Sequence, residues 1–197
     1  MLRQAEITRK TRETEINLYL DLDGTGSSDI STGYPFFDHM LELFCLHGFF
    51  NLRIRAKGDI QVDEHHLVED VGICLGKAFS QALKDKTGIK RYGFSAIPMD
   101  EVLAQCIVDI SGRPVLVFNI KNNREIKAKI AESFKDFFRA FCVHSGITLH
   151  INVYYGDGYH HTLEAIFKSF GVSLDQATQR ERRRENLPST KGYIEEV

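Results

Sequence analysis

An internal repeat constrains the fold more than any other feature of this 197-residue chain. When the chain is shifted by 97 residues, the segment FCLH at 44–47 falls on FCVH at 141–144. A shift of 95 places HHLVE at 65–69 on HHTLE at 160–164. Because self-similarity at a fixed period marks a repeated structural unit, we predict two copies of one half-domain.

The hydrophobic pattern predicts an α+β chain in which each half has a sheet covered on one face by helices. Predicted elements in chain order are a strand at 12–20, a loop at 21–33, a helix at 35–47, a strand at 50–57, a helix at 64–85 capped by Asp63, strands at 91–98, 101–110 and 114–120, a charged loop at 121–129, a helix at 131–144, a strand at 147–155 and a helix at 160–179. Half-repeats at about 1–93 and 94–180 form one pseudo-symmetric domain, because each is small for an independent fold. We expect the tail at about 181–197 to be mobile until phosphate binds.

Composition excludes several classes of protein. The net charge of −2 argues against nucleic-acid binding. The chain has no apolar run of membrane-spanning length and no signal peptide, so we expect a cytoplasmic protein. The four cysteines form no C-x-x-C pair and are expected to be reduced and buried.

The paired histidines predict a metal site. On a helix, His65 and Glu69 share one face, whereas His66 is rotated by about 100° from His65. One motif could therefore hold two metals, or two motifs could share a pair of metals across an interface. A single HHxxE is weak, because solvated helix histidines are common; the second copy, at His160, His161 and Glu164, favours metal binding. Imidazole and carboxylate suit Mn, Fe, Co or Zn, and the lack of thiolates argues against structural zinc.

The repeat adds two further pairs. His39 corresponds to Asp136, and both are competent ligands, although either could simply be an exposed or capping residue. His47 corresponds to His144, but each closes an apolar helix, where the helix dipole favours a cation and a structural role is expected.

Basic and hydroxyl side chains in tight contexts are candidates for binding an anion such as phosphate. They are Arg91, Arg113, Lys168, Ser189 and Lys191. Lys168 lies one helical turn after Glu164, on the same face as the candidate metal ligands. The spacing does not show whether these residues converge.

The segment DLDGT, with Asp21 and Asp23, matches the opening signature of haloacid-dehalogenase phosphatases. That signature follows a strand buried on both faces of a parallel sheet. The preceding segment EINLYL instead alternates, as in a sheet exposed on one side. A phosphatase that uses these aspartates is therefore the weaker alternative.

Several motifs in order carry a family resemblance. They are FFDHML at 36–41, DEHHLVED at 63–70, PMDE at 98–101, SGRP at 111–114, HHTLEAIFK at 160–168 and PSTKG at 188–192. Together they closely resemble imidazoleglycerol-phosphate dehydratase of histidine biosynthesis, from about Arg9 to Gly192.

The resemblance implies two half-domains, each a four-stranded sheet with two helices, in a fold like the second domain of ribosomal protein S5. It implies a homo-oligomer of 24 chains with active sites at subunit interfaces and two Mn²⁺ per site. The implied ligands are His39, His65, His66, Glu69, His160, His161 and Glu164. Asp136 stands where many relatives have a histidine, so a carboxylate would replace an imidazole there.

The resemblance also implies roles in catalysis. Arg91, Arg113, Lys168, Ser189 and Lys191 match phosphate-binding positions, and Glu13 in RKTRET at 9–14 matches a substrate-contacting acid or base. His39, Glu69 and Glu164 are further catalytic candidates. The implied reaction removes water from imidazoleglycerol phosphate through a metal-bound imidazolate and a diazafulvene-like intermediate. Glu13 would take the proton, and a metal-held water or ligand would protonate the departing hydroxyl. A metal-buffering or shell-forming protein without enzyme activity is the non-enzyme alternative.

Overall fold

Each half of the molecule contains one sheet and two helices, which follow the same order along the chain. The computed structural model describes residues 2–120 and 124–194. Its elements are β1 (Gln4–Lys10), β2 (Thr14–Asp21), β3 (Ser28–Ser31), α1 (Pro35–Gly48), β4 (Asn51–Gly58), α2 (Glu64–Leu83), β5 (Tyr92–Met99), β6 (Val102–Asp109), β7 (Val115–Ile120), α3 (Arg124–Ser145), β8 (Thr148–Tyr155) and α4 (Tyr159–Thr178). The predicted helices and strands are present within a few residues of these bounds, apart from the differences given below.

The two sheets have equivalent topology. The strand orders are β1-β2-β4-β3 and β5-β6-β8-β7. In each sheet the short third strand pairs parallel with its neighbour, and the other pairs are antiparallel. The predicted duplication of an α+β half-domain is confirmed. The second half-repeat was predicted to start at about residue 94. Strand β5 begins at Tyr92, so the second sheet starts two residues earlier.

The helices of the two halves pack against each other between the sheets. Helix α2 lies on β1 and β2 and contacts α3, while α4 lies on β5 and β6 and contacts α1. Two glycines permit this close approach. A Cβ at Gly76 of α2 would lie 2.7 Å from the Phe141 carbonyl oxygen, and one at Gly171 of α4 would lie 2.5 Å from that of Phe44. The backbones of α2 and α3, and of α4 and α1, are therefore nearly in contact.

Three secondary-structure predictions were wrong. Strand β1 was not predicted, because Ile7 is its one buried residue and an edge strand of this kind lacks a clear alternation. Strand β3 lies within the predicted loop 21–33 and is only four residues long. Helix α3 begins at Arg124, so the predicted charged loop is helical from 124 onward. Its lysine, glutamate and alanine residues favour a helix, and Ile126 and Ile130 extend the four-residue apolar spacing that continues at Phe134. Residues 121–123 of that loop lie outside the described part of the chain.

The predicted cap of α2 and the predicted burial of the cysteines are confirmed. Asp63 caps α2 by accepting a hydrogen bond from the His65 backbone N–H at 2.9 Å. The four cysteines are free and buried, as predicted. Within the described residues, no helix has both the length and the apolar character needed to cross a membrane.

The two histidines at helix ends are half-buried. Burial lowers the pKa of His47, and the nearby Lys168 lowers it further. Burial also lowers the pKa of His144, with Lys77 acting in the same direction. These effects oppose the cation that the helix dipole favours, and the structural role of the two histidines remains a prediction.

The phosphatase alternative lacks its structural context. Asp21 ends β2, which pairs antiparallel with both of its neighbours. Its carboxylate accepts a hydrogen bond from Gln4 at 2.9 Å, and Asp23 is paired with Arg3. Neither carboxylate stands at the end of a parallel strand, so this alternative is wrong.

Residues 180–194 lie along the segment that precedes β5. Arg180 forms a β-bridge with Ile89, and the Gly88 backbone N–H donates to the Asn186 carbonyl at 3.2 Å. Arg184 donates to the Ile89 carbonyl at 3.0 Å. These contacts place the start of the tail beside Arg91; its mobility remains a prediction.

Candidate metal centre

Helices α1 and α4 bring three predicted ligands together. His39 Nε2 lies 3.2 Å from Glu164 Oε1, and His160 Nε2 lies 2.8 Å from the same oxygen. One ligand atom from each of the three residues lies within 4.8 Å of the other two. We call these residues the Glu164 cluster. His160 and Glu164 share a helix face through their i, i+4 spacing, whereas His39 arrives through the close packing of α1 on α4.

The Glu164 carboxylate is ionised over the whole physiological pH range. Its side chain is only 11% exposed, whereas His39 and His160 are 41% and 53% exposed. Burial alone would raise the pKa of Glu164, but hydrogen bonds from Lys168 and His39 outweigh it and lower the pKa to about 2. Lys168 Nζ lies 2.6 Å from Glu164 Oε2. A fixed negative charge thus lies beneath two solvent-accessible imidazoles.

The other half of the repeat forms a corresponding but looser group. His65 Nε2 lies 3.6 Å from Glu69 Oε2 on α2, and His65 Nδ1 lies 3.7 Å from Asp136 Oδ2 on α3. We call these three residues the Asp136 cluster. Arg139, one turn further along α3, lies 2.7 Å from Asp136 Oδ1. Within the described residues, the sets of three donors that lie within 4.8 Å do not include this cluster.

The second histidine of each motif turns away from its neighbour. The His65 and His66 rings are inclined by 76°, and the His160 and His161 rings by 80°. His66 Nδ1 lies 3.1 Å from Asp59 Oδ1, and His161 Nδ1 lies 2.9 Å from Glu101 Oε2. Sequence reasoning missed both carboxylates. Glu101 belongs to the PMDE motif and could have been singled out, whereas Asp59 carries no signal beyond its position before α2.

Glu13 lies on the turn between β1 and β2. Its carbonyl oxygen accepts a hydrogen bond from the Asp59 backbone N–H at 3.2 Å. Glu13 also raises the pKa of His66, although less than the hydrogen bond that His66 donates to Asp59 does. The candidate acid or base is therefore on the His66 side of α2, at the surface of the chain.

Four of the five anion-binding candidates converge. Arg91, Arg113, Ser189 and Lys191 line one cavity of about 20 Å³, together with Ser111 and Tyr193. We call the first four residues the arginine cluster. A space of this size holds about one water molecule, so its side chains must separate to admit a phosphate.

The arginine cluster has an excess of positive charge. Arg91 donates to both Asp109 oxygens, at 2.7 and 3.2 Å, and to the Pro188 carbonyl at 2.7 Å. Arg113 lies 4.0 Å from the same aspartate. Three cations thus face one carboxylate, which suits a phosphate group carrying about two negative charges.

Lys168 does not join the arginine cluster of its own chain. Its ammonium group contacts Glu164 and lies 3.1 Å from the Met99 sulfur, at the far end of β5 from Arg91. Eight residues of extended chain separate Arg91 from Met99, or about 26 Å at about 3.3 Å per residue. The arginine cluster and the Glu164 cluster are thus on opposite sides of the second half.

The donors in both clusters fit a divalent transition metal. The Glu164 cluster offers two imidazole nitrogens and an ionised carboxylate, and the Asp136 cluster offers one imidazole and two carboxylates. These ligands suit Mn, Fe, Co or Zn. A third set consists of Asp100, Glu101 and His161, the residue that follows His160.

Comparisons with known proteins agree on one family. The family model for imidazoleglycerol-phosphate dehydratase matches residues 32–174. The chain is 52% identical to the dehydratase of Thermodesulfovibrio yellowstonii over 193 residues and 51% identical to that of Acetivibrio thermocellus over 195 residues. Each alignment covers 98% of this chain and 100% of the relative.

Solved structures share the architecture. Imidazoleglycerol-phosphate dehydratase from Staphylococcus aureus superposes with a TM-score of 0.78 at 38% identity, covering 90% of this chain and 99% of the other. The Pyrococcus furiosus enzyme gives a TM-score of 0.78 at 33% identity, covering 95% and 100%. The chain therefore belongs to the imidazoleglycerol-phosphate dehydratase family, hydro-lyases that act in histidine biosynthesis.

Proposed function

We propose that this enzyme converts D-erythro-imidazoleglycerol phosphate to imidazoleacetol phosphate with two Mn²⁺ ions per active site. The observation that carries the proposal is the pair of three-residue clusters at corresponding places in the repeat. Bound Mn²⁺ would act as a Lewis acid and as a template for the imidazole ring of the substrate. In this proposal the Glu164 cluster would hold one ion and the Asp136 cluster the other, and His66 and His161, which turn away from these clusters, would each add a ligand to an ion of a neighbouring chain.

The side chains of the chain itself supply the remaining functions. The fixed charge of Glu164 lies beside His39 and His160, where it orients both rings. The arginine cluster binds the phosphate through guanidinium, ammonium and hydroxyl donors. The glycerol portion of the substrate would then lie between the metal ions and the arginine cluster.

Glu13 is the proton acceptor in this proposal. The proton next to the ring is weakly acidic, so a carboxylate held within hydrogen-bonding reach is needed to remove it. Replacing Glu13 with glutamine should lower kcat by roughly 10²–10⁴-fold while leaving the bound Mn²⁺ unchanged. Glu15→Gln, on the same hairpin and exposed, is the matched control. Near-normal turnover of the Glu13 variant would remove Glu13 from this role.

The distances within one chain support active sites that are shared between chains. A substrate with one imidazole ring and one glycerol phosphate arm cannot span about 26 Å along β5. The arginine cluster of one chain must therefore serve metal clusters of another. We propose a homo-oligomer, with 24 chains as the family resemblance implies, and active sites at the subunit interfaces.

Mixed oligomers test this arrangement. Glu164→Gln and Arg113→Ala chains are each prepared alone, then dissociated together and reassembled. Sites that combine an intact metal cluster with an intact arginine cluster should restore dehydratase activity in the mixture. Each variant reassembled alone is the control. Mixtures as inactive as their components would show that each active site is built from one chain.

Removal and return of metal tests the function itself. Protein stripped of metal should lack dehydratase activity, and added Mn²⁺ should restore it. Metal binding without dehydration would support the metal-buffering alternative. Inactivity in both states would contradict the proposed reaction. We also propose a cytoplasmic location, since histidine biosynthesis and four unpaired cysteines both suit a reducing compartment.

A further inference from the structure

Two carboxylates hold the outward-turned histidines in the same way. His66 Nδ1 lies 3.1 Å from Asp59 Oδ1 and 3.3 Å from Asp59 Oδ2. His161 Nδ1 lies 2.9 Å from Glu101 Oε2. In both pairs the same ring nitrogen faces the carboxylate, so Nε2 is the nitrogen left to act as a ligand.

The two contacts have different origins in the chain. Asp59 follows β4, within the loop that leads to α2, whereas Glu101 lies on the turn between β5 and β6. The position that corresponds to Asp59 is Gly156 under the 97-residue shift and Tyr154 under the 95-residue shift, and neither residue has a carboxylate. Duplication of a half-domain therefore does not explain the two contacts, and the same arrangement is built from two unrelated positions.

Each carboxylate is itself held in place. Glu101 Oε1 accepts the Gly158 backbone N–H at 3.1 Å, which leaves Oε2 for His161. The Asp59 backbone accepts hydrogen bonds from Val62 at 2.7 Å and Asp63 at 3.3 Å, within the turn that starts α2. Both supports are thus fixed to the first turn of the helix that carries the histidine.

We infer that Asp59 and Glu101 are positioning residues that hold His66 and His161 in the tautomer with a free lone pair on Nε2, ready to bind a metal ion. An N–H donated to a carboxylate from one ring nitrogen is the usual support of a metal-binding histidine. The inference rests on the proposed function, because it assigns a role in metal binding.

A second acid lies near one of these rings. Asp100 Oδ2 lies 3.9 Å from His161 Nε2, too far for a hydrogen bond.

Mn²⁺ binding to metal-stripped protein tests the inference. The variants Asp59→Asn and Glu101→Gln keep the size of each side chain but remove its charge, and we expect each to weaken Mn²⁺ binding by roughly 10–100-fold. The alanine variants should weaken it further. Asp29→Asn is the matched control, because Asp29 is an exposed carboxylate paired with Arg55 on the opposite side of the first sheet. Equilibrium dialysis with metal analysis gives the dissociation constants, and thermal melting of the metal-free protein reports any loss of stability.

A double-mutant cycle separates positioning from a structural role. In a His161→Asn background, Glu101→Gln should have no further effect on Mn²⁺ binding, and Asp59→Asn should likewise add nothing to His66→Asn. Unchanged Mn²⁺ affinity in the amide variants, or full additivity in the cycles, would overturn the inference. Failure of the wild-type protein to bind Mn²⁺ or to dehydrate the substrate would instead overturn the proposed function, so the two failures are distinguishable.

Discussion

The Glu164 cluster and the Asp136 cluster occupy corresponding places in the repeat but differ in composition. In the first, His39 has Glu42 three residues later, 4.0 Å from its Nδ1. In the second, Asp136 has Arg139 three residues later, 2.7 Å from its carboxylate. The 97-residue shift relates both pairs. An imidazole with an acidic neighbour in one half is thus replaced by a carboxylate with a basic neighbour in the other.

The two halves have the same net charge around these residues, although the residue types differ. With histidines neutral, Glu42, Glu164 and Lys168 give the first cluster a net charge of −1. Asp136, Glu69 and Arg139 give the second cluster the same net charge. The Lys168 position corresponds to Ile73 in the first half, so Arg139 supplies from another helix the cation that α2 lacks at this position. The two halves of this chain therefore share the same net charge at the candidate ligands although their donors differ.

The largest difference between the clusters is expected on loss of the glutamate. Glu164→Gln removes a buried charge and leaves Lys168 unpaired, so we expect Mn²⁺ affinity and dehydratase activity to fall by more than about 100-fold, beyond the effect of losing a supporting residue. Glu69→Gln acts on a side chain that is 36% exposed and should cost less. Metal analysis and kcat measured for both variants check this order. Equal losses of Mn²⁺ affinity and kcat in the two variants would show that the tighter geometry of the Glu164 cluster does not affect function.

A smaller effect is expected when the two clusters are made alike. Asp136→His gives the second cluster two imidazoles and one carboxylate, which favours Zn²⁺ over Mn²⁺. We expect the Mn²⁺ affinity of this cluster to fall by roughly tenfold, which is the smallest loss typical of substitutions next to a metal ligand. Competition between Mn²⁺ and Zn²⁺ in dialysis measures the preference.

Arg139 provides the control for that change. Asp136→His leaves Arg139 without its carboxylate, so the double variant with Arg139→Gln should recover part of the lost Mn²⁺ affinity. Glu42→Gln is the corresponding change in the other half. No recovery in the double variant would contradict charge balance as the role of Arg139.

The smallest effect concerns a pair in which the halves agree. Burial lowers the pKa of both His47 and His144 below the ordinary value of 6.5. The unfolded chain therefore takes up protons at a higher pH than the folded chain. This contribution to stability is complete above about pH 6.5 and is lost as the pH falls below it.

Melting of metal-free protein between pH 7.5 and pH 5.5 measures this contribution. We expect a lower Tm at the acidic end, by roughly 2–4 °C for each kcal/mol lost. His47→Gln and His144→Gln should each reduce the dependence by a similar amount. A dependence that is the same in wild type and both variants would assign it to other groups.

The repeat in the sequence predicted much of this structure, because it relates positions that lie far apart along the chain. It identified His39 and Asp136 as a pair. The structure places His39 beside Glu164 and Asp136 beside His65, so each lies next to the HHxxE motif of the other half. The repeat could not predict edge strands such as β3, whose four residues bury too little to leave a pattern. The repeat also could not predict long-range contacts that involve residues outside the repeated segments. The arginine cluster depends on how residues 180–194 return along Ile89, and no local period records that path.

The length of β5 has a consequence for how the enzyme fails. Under the proposed arrangement, each chain lends its arginine cluster to one reaction space and its metal clusters to another. Dilution that separates chains should abolish turnover before any chain unfolds. A chain defective at one end would still complete a neighbour's site with its other end, so two differently damaged copies of the gene would complement each other in one cell.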